Sequence, residues 1–120
     1  MFQGCYALSS ITFGENFNTS KVSNMSSMFY YCTSLRTLDL SSFTLKSGVN
    51  INSIFVGASN IRSLDMRNCE FNNVTTNSET FGHLPANCNI IVKSDTERDF
   101  ILGLRSSFTN IQTVAELDSA

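Results

Sequence analysis

One apolar pattern returns along this chain every 26–27 residues, and that recurrence limits what the chain can fold into more than any other feature. Met25, Met28, Phe29 and Cys32 fall at i, i+3, i+4 and i+7, the spacing of an apolar helix stripe. Ile51, Ile54, Phe55 and Ala58 repeat it, Asn77, Thr80, Phe81 and Leu84 repeat it more weakly, and Met1, Phe2 and Cys5 match its last three positions. A second element follows each stripe. Leu35, Leu38 and Leu40 form L-x-x-L-x-L, with counterparts Leu8, Ile11 and Phe13 before it and Ile61, Leu64 and Met66 after it. Ile90 and Val92 fill the last two places of a fourth copy. The alternating part reads as a short strand with one buried face. Phe17, Phe43 and Cys69 close successive turns.

A unit of one helix and one strand cannot bury both apolar faces alone, so copies must stack and share a core. Parallel strands joined through a crossover coil right-handedly. The expected fold is therefore α/β: a right-handed, leucine-rich-repeat-like solenoid of about 3.5 repeats, each a short helix plus a short parallel strand, over residues 1–93. Residues 94–120 break the period and read as a C-terminal helical cap. Ser94-Asp95-Thr96-Glu97 matches the S-x-x-E capping box, Phe100, Ile101 and Leu104 supply an apolar face, and Ile111 and Val114 suit a last extended piece.

The stretch Asn24–Phe43, NMSSMFYYCTSLRTLDLSSF, resembles the BspA-like leucine-rich repeats, which read roughly N-M-S-x-M-F-x-x-C-x-S-L-x-x-L-D-L-S-x-F. Ser20-Lys21-Val22-Ser23 matches their usual lead-in, and LPANCNIIVKSDTERDFILGL resembles the ends of such arrays. The third copy departs from the pattern, with Ala58 in place of Cys and Ile61 in place of Leu. The resemblance implies a surface or secreted protein that adheres to host or extracellular proteins. It brings no catalytic residues and no defined binding motif.

Charge and length exclude several classes. Eight basic and ten acidic residues are spread along the chain with no basic block, which argues against nucleic acid as partner. No apolar run approaches the ~20 residues of a membrane-spanning helix. Residues 1–13 lack the basic and apolar regions of a secretory signal. Since Met1 aligns with Met28 in mid-repeat, the expectation is a piece of a longer protein, with an open N-terminal edge at Ile11–Phe13 through which chains self-associate.

The candidate binding face is the outward side of the strands: Ser10, Thr12, Thr37, Asp39, Ser63, Asp65 and Ile91, flanked by Arg36 and Arg62. Asp39 and Asp65 are equivalent, so they should lie side by side and either bind a cation or, more in keeping with a polar ladder, be neutralised by Arg36 and Arg62. Cys5 and Cys32 are also equivalent and are expected as free core thiols rather than a disulfide. No C-x-x-C pair suggests zinc, and His83, the single histidine, has no nucleophile context around it. Asn18, Asn24 and Asn73 begin N-x-S/T sequons, which such a composition produces by chance. The expectation is a non-enzymatic protein-binding module with no cofactor and no metal. The alternative is a structural spacer in a larger surface protein.

Overall fold

The computed structural model describes residues 4–14 and 17–119. Four parallel strands, β1 (Thr37–Asp39), β2 (Ser63–Met66), β3 (Asn89–Val92) and β4 (Ile111–Thr113), form one sheet in sequence order. Two helices follow the third and fourth strands, α1 (Asp95–Leu104) and α2 (Val114–Asp118). The strand register joins equivalent residues: Leu38 pairs Leu64, and Leu64 pairs Ile90. These three are buried while Thr37, Asp39 and Asn89 are exposed and Ser63, Asp65 and Ile91 are partly so, as period-2 alternation predicts.

The expectations for the first copy and for the stripes are corrected. The segment Ile11–Phe13 forms no strand, although Leu8, Ile11 and Phe13 do pack against the core. The fourth strand comes instead from Ile111–Thr113, in the C-terminal region. Phe13 sits 5.0 Å from Phe43, so the first copy contributes apolar packing without joining the ladder. Met1 and Phe2, expected in the first stripe, lie outside the described residues.

The second correction concerns the stripes. Met25–Cys32 and Ile51–Ala58 are not helices but runs of turns. Their apolar residues are buried as the spacing requires, because i→i+3 turns repeat nearly as a helix does. Met28, Tyr30 and Cys32 donate backbone N–H to Met25, Ser27 and Phe29. The intervening amides cross to the next copy: Met25, Ser27, Phe29 and Tyr31 donate to the carbonyls of Asn50, Asn52, Ile54 and Val56 at 2.7–3.0 Å. Ser27 and Ser53 (both φ 56°) and Tyr31 (φ 57°) adopt the left-handed region, which a right-handed helix does not contain.

Spacing explains the choice. Packed helices need 8–10 Å between axes, whereas strands stack at ~4.8 Å. Here the turn side is as tightly spaced as the sheet side. The Phe29 and Phe55 rings lie 6.0 Å apart and 8° from parallel, and Phe55 and Phe81 lie 5.9 Å apart. Turns that bond from copy to copy fit that spacing, and helices do not.

One close approach follows. Gly57 (φ +77°) is the counterpart of Tyr31, and a Cβ there would stand 2.5 Å from the Tyr31 ring. Gly57→Ala should therefore cost about 1–3 kcal/mol, from backbone strain plus overpacking. Adding Tyr31→Gly should recover part of that loss by removing the ring. Urea denaturation that finds Gly57→Ala within about 0.5 kcal/mol of the parent would contradict this packing.

The C-terminal region ties onto the end of the sheet. α1 starts where S-x-x-E predicts, but the Ser94 hydroxyl donates to the Glu97 carboxylate (2.5 Å) rather than accepting from the helix backbone. The complete capping box belongs to Thr113 and Glu116 at the start of α2, so Val114 is helical rather than extended. Phe100 stacks on Phe71 at 4.8 Å, and Arg98 bridges α1 to Glu116. The Arg105 guanidinium donates to the carbonyls of Phe81, Gly82 and Leu84 while lying over the Phe108 ring.

Candidate functional strand face

The outward strand residues converge. Ser10, Ile11, Thr37, Leu38, Asp39, Ser63, Asp65 and Ile91 line one open groove of about 220 Å³. Of the residues expected on the binding face, Thr12 lies in an adjoining depression with Ile11, Phe13, Asp39, Ser41 and Ser42. Arg36 and Arg62 stand exposed just before the strands. The groove follows from pairing: Thr37 meets Ser63, Asp39 meets Asp65, and Asp65 meets Ile91, all on the face opposite the buried leucines.

Asp39 and Asp65 are turn-formers as well as surface charges. Asp39 Oδ1 accepts from the Ser41 amide (2.9 Å), and Asp65 Oδ1 accepts from the Arg67 amide (3.1 Å). Each carboxylate thus closes an Asx-turn that ends its strand. Hydrogen bonds from the Ser41 side chain and amide hold the Asp39 carboxyl below the usual carboxylate range, with the charge of Arg67 adding to them.

The arginine expectation is corrected. Asp65 is neutralised not by Arg62 but by Arg67, whose Nε and Nη2 reach its carboxylate at 2.8–3.1 Å. Arg67 lies in the turn just after β2, and the Asx-turn closed by Asp65 brings the two side chains together. Among the described residues neither Arg36 nor Arg62 makes an ion pair. Arg62 N donates to the Arg36 carbonyl (2.7 Å), so these positions join copies through their backbones.

Cys5, Cys32, Cys69 and Cys88 form no disulfide. Cys32, Cys69 and Cys88 are buried, and burial pushes each thiol up, to about 12 for Cys69 and about 11 for Cys88. The Cys69 thiol points to the Phe43 carbonyl at 3.8 Å. His83 is exposed in a turn and lines neither depression of the strand face. Among the described residues no three His, Cys, Asp or Glu side chains are grouped to hold a metal ion, and no helix is long and apolar enough to cross a membrane. The sequons at Asn24 and Asn18 also serve the backbone: their side chains accept from the amides of Ser26 and Ser20.

Fold and face together define an α/β protein with a four-stranded parallel sheet, its repeat-like strands presenting one polar outward face. Residues 1–95 match the family described as Mycoplasma protein of unknown function, DUF285, and the chain belongs to that family. No curated protein and no solved structure matches the chain.

Proposed function

We propose that this chain is a segment of a right-handed, leucine-rich-repeat-like solenoid of BspA-like type. It serves as a non-enzymatic protein-binding module of a surface or secreted protein, and its strand face adheres to host or extracellular proteins. One observation carries the reading. Polar residues from adjacent strands, Thr37, Ser63, Asp39 and Asp65, line a single groove, and solenoids commonly bind along such faces. A second reading, a structural spacer without a ligand, draws on the fact that both aspartates bond their own chain.

The two separate in a binding experiment. Immobilised extracellular-matrix proteins are probed with the parent and with a variant carrying Thr37→Ala, Asp39→Asn, Ser63→Ala and Asp65→Asn. Asparagine preserves the Asx-turns, so the variant keeps its fold. The adhesive reading expects binding by the parent and at least a tenfold loss in the variant. Equal binding by both, with loss in His83→Ala, places the site elsewhere, and no binding to any matrix protein supports the spacer.

A further inference from the structure

The strand face treats its two aspartates differently. Around Asp65 the guanidinium of Arg67 is seated bidentately, its Nε 3.1 Å from both carboxylate oxygens and its Nη2 2.8 Å from Oδ2. Asp39 occupies the equivalent position on β1, and its Asx-turn has the same form, with Oδ1 accepting from the amide two residues on. The residue two positions on is here Ser41 instead of arginine. Among the described residues Asp39 makes no ion pair, and it is exposed.

Asp39 also lies where two depressions meet, the groove across the strands and the adjoining one lined by Ile11, Thr12, Phe13, Ser41 and Ser42. The second depression sets apolar surface, from Ile11 and Phe13, next to a carboxylate. That pairing suits a side chain with an aliphatic stem and a charged planar head. Lysine has the stem but carries a point charge that cannot make the two parallel bonds Arg67 makes on Asp65.

Resting on the protein-binding reading, we propose that the partner protein inserts an arginine side chain beside Asp39, pairing its guanidinium with that carboxylate in the arrangement that Arg67 makes on Asp65. The stem lies along Ile11 and Phe13. An exposed ion pair is weak in isolation, so this contact sets the partner's register and orientation more than its affinity.

The test uses the full chain and two small probes, N-acetyl-arginine methylamide and N-acetyl-lysine methylamide, followed by amide chemical shifts. The arginine probe should move the Thr12, Asp39 and Ser41 amides, and the lysine probe at equal concentration should move them several-fold less. Asp39→Asn should abolish the response. Ser41→Arg supplies the guanidinium within the chain and should abolish it too, and Asp39→Asn keeps the proposal testable if that larger substitution unfolds. No movement at the solubility limit, an equal lysine response, or a response that survives Asp39→Asn or a folded Ser41→Arg overturns the proposal. Matrix binding lost in the quadruple variant but insensitive to Ser41→Arg overturns this contact and leaves the adhesive reading standing. An arginine response without any matrix binding does the reverse.

Discussion

Phe55→Ala should lower stability by about 3–5 kcal/mol, the range for truncating a fully buried aromatic residue. Phe55 is 0 % exposed and stands between Phe29 and Phe81, with ring centroids 6.0 and 5.9 Å away. Removing it opens a void that both neighbours line, and their backbones are fixed, Phe29 by its amide on the Ile54 carbonyl and Phe81 by the Leu84 amide and the Arg105 guanidinium on its carbonyl. Phe29→Ala falls in the same range. Tyr6→Ala, at 63 % exposure, is the control and should change stability by less than about 0.5 kcal/mol. Equilibrium urea denaturation measures all three. A Phe55→Ala loss below about 1 kcal/mol would contradict the aromatic ladder.

Raising the pH should unfold the protein through its buried thiols. In the unfolded chain a cysteine ionises near pH 8.5. In the folded chain Cys69 keeps its proton until about pH 12 and Cys88 until about pH 11. Between these limits the unfolded state binds fewer protons, so stability falls as pH rises. The stability is fully present below about pH 8.5 and is lost progressively towards pH 11–12, by about 1.4 kcal/mol per pH unit for each thiol. Denaturant midpoints from pH 7 to 11 should fall steeply for the parent and less steeply for Cys69→Ala, which loses that proton while the other titrating groups remain. Identical slopes would show that Cys69 ionises alike in both states.

The strands were legible because alternation and register are local signals. Leu38, Leu64 and Ile90 had to face inward together, and a one-residue slip would have exposed all three. The turn runs were not, because i, i+3, i+4 places apolar side chains on one side of a helix and of linked i→i+3 turns alike. A discriminating signal was nevertheless present. Gly4 and Gly57 occupy the position of Tyr31, and all three adopt positive φ. Glycine recurring at one place in a supposed helix marks a left-handed residue. Thr113-Val114-Ala115-Glu116 is likewise a legible T-x-x-E capping box, and it makes Val114 helical.

On the strand face, Thr37, Asp39, Ser63, Asp65 and Ile91 followed from alternation, while Ile11 and Leu38, which alternation turns inward, also line the groove, and the ion pair did not follow from repeat equivalence. Asp65 meets Arg67 because the Asx-turn that follows β2 brings the arginine back to the carboxylate that closes it. Arg62 comes just before β2 and contributes its backbone to the neighbouring copy instead. The adjoining depression at Ile11 and Phe13 depends on how the first copy packs without forming a strand, which no pattern of spacings encodes.

If stacked copies of one unit are what hold this chain together, a whole unit can be removed. Excising residues 37–62 joins Arg36 to Ser63 and takes out one register step, since Thr37 pairs Ser63. The shortened chain should keep cooperative unfolding and the buried Leu/Ile row, with lower stability because fewer copies are stacked. Excising residues 37–59 removes a fraction of a unit, puts the polar positions of the next strand out of register and should unfold the protein. Far-UV circular dichroism and urea denaturation of the two deletions decide the matter. A folded first deletion beside an unfolded second is the predicted result, and two equally unfolded chains would contradict the stacked-copy account.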